Sequence, residues 1–342
     1  MKIRINNAEC ESVEEVRMVA SKDVADFIEE YLNDNDFVLA HTSGSTGEPK
    51  EVRLLKSDMR ASASLTNEFF GINKASVLYL CLSTKYIAGK MMIVRALEAG
   101  AQLIEEEPSN TPLAKYDGRM LITMLACVPS QIGYLINNPE KLQIVKHLII
   151  GGGKLNPRTE RWLAEYGVNA HKTFGMTETC SHVALSEVAR EDMPYKALGE
   201  VCFDVDDRQC LVINAPHLSC KRIITNDVVS LVSDTEFVWH GRFDNVINSG
   251  GEKLFPEELE RKLVGILPNV RFYVKGMPSE KWGEEPVIML EYTSLPAGTE
   301  KHGDVQPALI EKMRKVLPPH SIPRRYIAVP KFDEASNGKI RR

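Results

Sequence analysis

Several features that would place a protein in a special class are missing from these 342 residues. No apolar run reaches the roughly 18 residues of a membrane-spanning helix, so no membrane span is expected. The seven cysteines are scattered and form no C-x-x-C pair, which argues against a zinc site or a disulfide framework. The formal net charge of -5 gives no support to nucleic-acid binding. These absences favour a cytoplasmic globular protein with reduced thiols.

The order of apolar runs and helical stretches predicts an α/β fold. Between residues 37 and 175 the two alternate, which favours a large, mostly parallel sheet flanked by helices. Residues 198–240 carry short β-rich runs separated by turns and predict a small β unit. A final block mixes strands with a helix that starts at Pro256, the pattern of a smaller α+β domain. We therefore predict an N-terminal domain (1–240), a hinge (241–245) and a C-terminal mobile domain (246–342).

The segment HTSGSTGEPKEV, residues 41–52, follows the apolar run 37–40. It is followed by a helical pattern over about residues 57–70, for which Ser57 is the expected N-cap. A loop rich in glycine and hydroxyl side chains after a strand presents backbone N–H groups to phosphate. It is not a Walker A loop, because two residues separate Lys50 from Gly47 and no Ser or Thr follows. Phosphate binding is therefore predicted, with a plain surface turn as the alternative. The loop alone leaves open which phosphate and which reaction are involved.

Three further stretches complete a pattern. They are FGMTET (174–179), TND (225–227) followed by GRFD (241–244), and SNGKIRR (336–342). In this order they resemble the motifs of the acyl-adenylate-forming superfamily: [ST]-S-G-[ST]-T-G-x-P-K, Y-G-x-T-E, T-G-D, G-R-x-D and S-G-K-[IV]-x-R. Because all the motifs occur in sequence over residues 41–342, the resemblance is far more specific than any one of them.

The resemblance implies binding of ATP with Mg²⁺ and assigns residues to the nucleotide. Glu178 would be the Mg²⁺ carboxylate, a hard ligand for a hard ion, and is catalytic together with Thr177. Asp227 would accept hydrogen bonds from the ribose, with Arg242 beside it. The remaining nucleotide-binding positions are Thr42, Ser43, Gly44, Ser45, Thr46, Gly47 and Lys50 around the phosphates, Gly151, Gly152 and Gly153 at the adenine side, and Phe174, Gly175 and Met176 at the adenylate.

Three residues towards the C-terminus carry the rest of the implied mechanism. Lys339 would stabilise charge as a carboxylate attacks the α-phosphate. The C-terminal domain would then rotate about Asp244 and withdraw this lysine. Gly251 would line the tunnel through which the thiol of CoA reaches the acyl carbon, where a side chain would block it.

A closer resemblance concerns the acyl substrate. GMTETCSHVALS (175–186) and SGGEKLFPEELE (249–260) look like the o-succinylbenzoate–CoA ligases of menaquinone biosynthesis. The implied activity is ATP-dependent ligation of this small carboxylic acid to CoA. Ser181, Tyr86 and Lys85 are the predicted substrate residues, with Lys90 as a further donor. The alternatives are another aryl- or fatty-acyl-CoA ligase, a stand-alone adenylating enzyme that loads a carrier protein, and a non-enzymatic nucleotide-binding module.

The sequence also departs from the family pattern. Glu51 and Asn226 stand where glycines are usual, Phe174 replaces tyrosine, and Tyr86 occupies a histidine position. About forty residues precede the phosphate loop, whereas family members usually have well over a hundred. We therefore expect a shortened N-terminal subdomain. The sequence does not determine which residues form the wall of the acyl pocket, and a homo-oligomer is possible.

Overall fold

The computed structural model describes residues 2–41, 51–189, 193–268, 270–294, 300–333, 340 and 342. Within these ranges a large sheet flanked by helices, a smaller second sheet and a separate hairpin confirm the predicted α/β class. The helices are α1 (Val13–Val19), α2 (Lys22–Leu32), α3 (Lys56–Phe70), α4 (Ile87–Ala99), α5 (Pro129–Asn137), α6 (Pro157–Tyr166), α7 (Pro256–Leu263) and α8 (Pro307–Met313). The strands are β1 (Ile3–Ile5), β2 (Ala8–Cys10), β3 (Phe37–His41), β4 (Glu51–Leu55), β5 (Val77–Leu80), β6 (Gln102–Glu105), β7 (Ile122–Cys127), β8 (Val145–Ile150), β9 (Ala170–Gly175), β10 (His182–Glu187), β11 (Tyr195–Ala197), β12 (Cys202–Val205), β13 (Cys210–Asn214), β14 (Arg222–Leu231), β15 (Glu236–Arg242), β16 (Ile247–Ser249), β17 (Glu252–Leu254), β18 (Phe272–Ser279), β19 (Gly283–Glu291), β20 (His302–Asp304) and β21 (Arg325–Val329).

The large sheet has the order β12-β13-β14-β15-β11-β10-β9-β8-β7-β5-β6-β1-β2. Its centre is parallel, from β1 through β6, β5, β7 and β8 to β9. Strand β5 is buried along its whole length, because helices cover both faces of this parallel region. One core cluster lies on the side of α2, α3 and α4, and a second lies on the side of α5 and α6.

The β-rich segment predicted over 198–240 forms strands β12 to β15, which pair antiparallel. They are not a detached unit, because β15 also pairs with β11 and so continues the large sheet. The connection gives one continuous surface from the parallel strands to the end of β15. The turns that follow β8, β9 and β15 can therefore contribute to one site.

The second sheet begins after a 3₁₀ turn, Phe243–Asn245. It has the order β17-β16-β19-β21-β20, with β18 also paired to β19. Pro256 occupies the first turn of α7, as predicted, where its missing N–H is not needed. The core of this part forms where α7 and α8 pack on the sheet through Leu259, Leu263 and Met313. The assignment of a hinge at 241–245 and of a mobile domain after it stays a prediction.

Two local expectations around the loop 42–50 are wrong. No strand was expected after the loop, yet β4 pairs antiparallel with β3. The helix expected to begin with Ser57 as N-cap begins at Lys56 instead, with Leu55 in the cap position. The reason is a tertiary contact, since the Lys56 ammonium donates to the carbonyl and the side-chain oxygen of Asn33 at 2.7 and 2.8 Å. The loop itself lies outside the described residues.

Candidate functional site

The glycine turn, Gly151–Gly153, follows β8 at the carboxyl end of the parallel strands. Ligands bind at this edge in open α/β sheets. The Gly151 amide donates to the Cys127 carbonyl of β7 at 3.0 Å. A Cβ at Gly151 would collide with the Thr173 hydroxyl, and Gly152 has a left-handed φ of +79°. The turn therefore needs glycine at both positions, and it leaves Gly152 and Gly153 exposed.

The predicted adenylate motif forms a tight turn after β9. A Cβ at Gly175 would collide with the Ser181 carbonyl, so only glycine fits there. The Thr179 hydroxyl accepts from the Met176 amide at 2.9 Å and donates to the Ser181 carbonyl at 2.6 Å. This buried hydroxyl fixes the short 3₁₀ helix Thr177–Thr179. Glu178 is left exposed at the sheet edge, in reach of a ligand.

Phe174 supports this turn from below. Its ring packs edge-on against Phe237 and Tyr195, with centroids 5.0 and 5.7 Å away. Phe237 is fully buried and also contacts Phe203 at 4.9 Å. A ring without a hydroxyl suits this apolar contact, which accounts for phenylalanine at a position where the family has tyrosine.

Phe237→Ala should lower the free energy of unfolding by about 3–5 kcal/mol, because it leaves a cavity where three aromatic rings meet. Chemical denaturation followed by circular dichroism measures the loss. Phe69→Ala is the matched control, since Phe69 is 54% exposed, and it should cost less than half as much. Equal losses for the two variants would show that the cluster under Phe174 does not stabilise the fold.

The structure brings together the ribose residues and the predicted hinge. Asp227 lies opposite Arg242 on neighbouring strands. Trp239 donates to Asp227 Oδ1 at 2.9 Å, and the Arg242 guanidinium lies 3.6 Å from Asp227 Oδ2. The same guanidinium donates to Asp244 Oδ2 at 2.9 Å. Arg242 therefore connects the proposed ribose carboxylate to the proposed pivot.

Asn226, which replaces a family glycine, adds a second connection to Asp244. Its amide nitrogen donates to both Asp244 carboxylate oxygens at 3.3 Å. Its amide oxygen accepts from Arg208 at 3.0 Å. The amide is thus oriented by a cation on one side and an anion on the other, and it ties the segment after β15 to β14.

Asn226→Ala should loosen the 243–245 segment without unfolding the protein. Losing one side-chain bridge of this kind costs about 0.5–1.5 kcal/mol. Hydrogen exchange of the 243–245 amides should therefore be faster by roughly three- to tenfold, which mass spectrometry measures. The solvent-exposed Asn248→Ala is the control and should leave these amides unchanged. Unchanged exchange in Asn226→Ala would mean that the segment is held by its other contacts, from Arg242 to Asp244 and from Asn245 to Glu257.

An arginine that the sequence reasoning missed lies beside Ser181. Arg95 is only 2% exposed on α4, and its guanidinium donates to the Ser181 hydroxyl. In the described part of the chain, its guanidinium also makes a weak contact with Met92 Sδ at 3.6 Å, and its Nε is buried without a partner. Burial lowers the pKa of Arg95 to about 10, so that the group stays charged near neutral pH. Among the described residues, no carboxylate neutralises it.

The surroundings of Arg95 are uncharged. The Ser181 hydroxyl lies 3.3 Å from His182 Nδ1, and Thr66 lies 3.1 Å from His182 Nε2. Burial, followed by the charge of Arg95, holds the pKa of His182 well below its usual range. The imidazole is therefore neutral, and the positive charge beside Ser181 is that of Arg95. One sequence signal was available: an arginine inside the apolar helical run Met91–Leu97, all of which is buried.

The lysines predicted near the substrate, Lys85 and Lys90, have different surroundings. Lys90 is not a free donor, because it pairs with Glu30 at 3.2 Å and lies 4.3 Å from the Phe27 ring centroid. Lys85 is exposed, and Tyr86 occupies the position before the first turn of α4. In the described part of the chain, no hydrogen bond or ion pair joins Lys85 or Tyr86 to Ser181. Their roles in substrate binding stay predictions.

Gly251 lies at the exposed tip of the β16–β17 hairpin. It has a φ of +87°, and no atom lies within 4 Å of the place where a Cβ would be. The backbone conformation, rather than crowding, therefore favours glycine in this structure. The remaining predicted positions lie outside the described residues: Thr42, Ser43, Gly44, Ser45, Thr46, Gly47, Lys50 and Lys339.

The described residues hold no group of three or more metal-ligating side chains. A site for Mg²⁺ on Glu178 would therefore consist of one carboxylate together with ligand oxygens and water. None of the helices in the described ranges combines the length and apolar character needed to cross a bilayer.

Ligases from two bacteria are similar to this chain in sequence. A 2-succinylbenzoate–CoA ligase from Haemophilus influenzae is 26% identical over 270 residues, which are 73% of this chain and 58% of the relative. The corresponding ligase from Escherichia coli is 25% identical over 324 residues, covering 88% and 66%. The chain thus spans about three fifths to two thirds of the length of these relatives.

Solved structures share the fold. An acyl-CoA synthetase (AMP-forming)/AMP-acid ligase II-like protein from Dyadobacter fermentans is 27% identical with a TM-score of 0.61, covering 93% of this chain and 91% of its own. An o-succinylbenzoate CoA synthetase from Bacillus subtilis, in complex with the acyl-adenylate OSB-AMP, is 22% identical with a TM-score of 0.75, covering 89% and 67%. The AMP-binding enzyme family matches residues 4–217, well over half of the chain. This protein is therefore a member of the AMP-binding enzyme family.

Proposed function

We propose that this protein is an ATP- and Mg²⁺-dependent acid–thiol ligase that activates o-succinylbenzoate as its acyl-adenylate and transfers the acyl group to CoA. The observation that carries the choice of acid is Arg95. A buried guanidinium with no carboxylate partner in the described structure lies against Ser181, six residues after Gly175 of the adenylate motif. The site therefore favours an acid that brings a second carboxylate.

The burial of Arg95 favours an acid with a second carboxylate. A charge buried without a partner costs several kcal/mol, and this cost is recovered when an anion pairs with it. Guanidinium has five N–H donors in a planar fork that matches a carboxylate, and Arg95 uses few of them within the described protein. O-succinylbenzoate has one carboxylate to activate and another on its ring. The ring carboxylate would pair with Arg95, whereas a fatty acid would leave it unpaired.

The residues at the sheet edge fit the nucleotide and its ion. Mg²⁺ usually takes one or two protein carboxylates and completes its shell with phosphate oxygens and water, which suits the single exposed Glu178. The Asp227 carboxylate is held in place by Trp239 and Arg242, as a ribose acceptor should be. The glycine turn after β8 offers an open backbone surface for a flat base.

Bound ATP would supply the AMP group that turns a carboxylate into a good acyl donor. Glu178 would hold the ion, Asp227 would orient the ribose, and Arg95 with Ser181 would orient the acid. Lys339 would add positive charge where negative charge develops during attack on the α-phosphate. In such a reaction the protein acts mainly by positioning the reactants and stabilising charge, because no protein group needs to form a covalent bond with the substrate.

We assign the transfer of the acyl group to CoA to a rearrangement of the C-terminal part. Residues 241–245 are the proposed hinge, with Asp244 as pivot and 246–342 as the moving domain. Gly251 lies at a hairpin tip that would approach the site after rotation, and its lack of a side chain would leave room for the thiol arm of CoA.

The test is a panel of acids with two readouts. ATP–pyrophosphate exchange reports adenylation, and CoA-dependent release of AMP reports transfer. O-succinylbenzoate should have the highest kcat/KM in both. A higher value for a fatty or monocarboxylic aryl acid would overturn the substrate proposal, while exchange without CoA-dependent AMP release would favour an enzyme that loads a carrier protein.

A further inference from the structure

Four charged side chains join the glycine turn to α7 and to the residues that follow Lys339. We call Lys154, Glu257, Glu260 and Arg342 the interface cluster. Lys154 directly follows the glycine turn, and its ammonium donates to the backbone carbonyl of Glu257 in the first turn of α7. The same ammonium lies 5.4 Å from the centroid of the Trp239 ring on β15. One lysine thus contacts both the large sheet and the C-terminal part.

Arg342 completes the cluster from the other side. Its guanidinium lies 3.5 Å from Glu257 Oε1 and 2.7 Å from Glu260 Oε2. It also lies 5.6 Å from the centroid of the Tyr273 ring. Glu260 Oε1 accepts from the Val274 amide at 2.8 Å, so both oxygens of this carboxylate are used.

The contact between α7 and β15 is close. Gly241 is buried, and a Cβ there would collide with the Glu257 carboxylate. Asn245 of the proposed hinge donates to Glu257 Oε1 at 2.6 Å. His240 on β15 bonds to Glu258, the next residue of α7. The cluster therefore sits in a packed interface and not on an open surface.

The charges of the cluster depend on each other. Lys154 is an exposed residue, yet its ammonium contacts the Glu257 carbonyl and the Trp239 ring, and burial lowers its pKa to about 8 although Glu260 and Glu257 oppose the shift. Burial also raises the pKa of Glu260, against the effect of Arg342 and Lys154. Removing one member of such a group leaves another charge unpaired, which is far more costly than losing an exposed pair.

The position of the cluster suggests its role. Lys339 lies three residues before Arg342 in the sequence, and Ile340 between them packs on the cluster of Tyr273, Val287, Met289 and Phe332. We propose that the interface cluster is a positioning device that holds α7, with Arg342 bound to it, against the glycine turn, in the arrangement used for adenylation. Lys154 and Arg342 are then positioning residues. The contact of Lys154 crosses from the glycine turn to α7 and opens when CoA is to be acylated, whereas Arg342 holds residue 342 on α7 within the moving part. This inference rests on the proposed function.

Two variants of the 342-residue chain test the device, Lys154→Met and Arg342→Met, together with the double variant. Without substrates, each should raise hydrogen exchange of the α7 amides by about tenfold. With o-succinylbenzoate, each should lower ATP–pyrophosphate exchange about tenfold, while transfer from supplied acyl-adenylate to CoA should fall less than threefold. The double variant should be little worse than either single one, because both contacts act on the same residue of α7, Glu257. Arg342→Lys should restore part of the loss.

Lys172→Met is the matched control. Lys172 pairs with Glu160 at 3.3 Å inside the large domain, and both side chains are 16% exposed. This variant removes a largely buried lysine but should leave α7 exchange and the ratio of the two half-reactions unchanged. If Lys154→Met leaves α7 exchange unaltered, or lowers both half-reactions equally, the positioning role is wrong. If the wild-type protein shows no pyrophosphate exchange with any acid, the proposed function fails, and the exchange of α7 still shows whether the cluster holds the interface.

Discussion

Arg95→Met should lower kcat/KM for o-succinylbenzoate by roughly 30- to 5,000-fold. The range corresponds to about 2–5 kcal/mol, the usual cost of removing one partner from a buried charge pair in a complex. The measurement is steady-state ligation over a range of acid concentrations. The monocarboxylate 4-oxo-4-phenylbutanoate lacks the ring carboxylate, so its kcat/KM should change less than about threefold. The variant should thereby lose the discrimination between the two acids.

Stability separates this role from a structural one. Within the described residues, the buried Arg95 guanidinium makes a single good hydrogen bond, to the Ser181 hydroxyl. Replacement of a buried charge by an apolar side chain of similar length is often neutral or stabilising. Arg95→Met should therefore keep or raise the free energy of unfolding while activity collapses. A structural arginine would show the opposite, a less stable protein that treats both acids alike.

Two further variants sharpen the test. Arg95→Lys keeps a positive charge but loses the planar fork, so it should fall between wild type and Arg95→Met. Arg60→Met is the matched control, since Arg60 is 57% exposed on α3 and pairs with Glu98 at 3.3 Å. It should leave both kcat/KM values unchanged. Equal loss for the two acids in Arg95→Met would leave only the coarser assignment to the family.

The contrast between Lys90 and Arg95 shows where sequence reasoning stops. Both lie on α4, and the sequence offered Lys90, besides Lys85 and Tyr86, as a candidate donor to the acid. The structure pairs Lys90 with Glu30, sixty residues away, and leaves Arg95 without a carboxylate in the described part of the chain. Pairing of charges depends on which elements pack together, and no local pattern reports that.

The alternating strands and helices of the fold were easier to predict from the sequence. Alternating apolar and helical runs correctly predicted the parallel strands β5, β7, β8 and β9, because buried strands and amphipathic helices have different periods. Strand β4 was missed, since five residues with only one buried side chain carry little signal. The start of α3 was misplaced because Lys56 is held by Asn33, a contact absent from the local sequence.

The site was predictable only as far as its motifs reach. Glycine is required at 151 and 175 because a Cβ would collide with the Thr173 hydroxyl at the first position and with the Ser181 carbonyl at the second. Asn226 appeared in the sequence only as a departure from a family glycine. Its role as a bridge between Arg208 and Asp244 depends on the pairing of β14 with the segment after β15. Long-range geometry of this kind requires the folded chain.

Lys339→Ala should lower the rate of adenylation by roughly 10²–10³, about 3–4 kcal/mol, while sparing transfer to CoA from supplied acyl-adenylate. Lys339 lies outside the described residues, so this expectation rests on the S-N-G-K-I-R-R segment and on the anchored neighbours Ile340 and Arg342. A point charge that acts only while the α-phosphate is attacked should affect one half-reaction. ATP–pyrophosphate exchange measures the first step, and thioester formation from synthetic o-succinylbenzoyl-adenylate measures the second.

The control for this lysine is Lys331→Ala, an exposed lysine eight residues earlier, which should change neither step by more than about twofold. Lys339→Arg tests whether charge alone suffices: a bulkier, planar cation in place of a compact ammonium should recover only part of the rate. Because Lys154→Met is expected to weaken the same step from a distance, combining it with Lys339→Ala should add little further loss. Full additivity would mean that Lys154 acts on adenylation by a route that does not involve Lys339, and an equal fall of both half-reactions in Lys339→Ala would remove this lysine from the first step altogether.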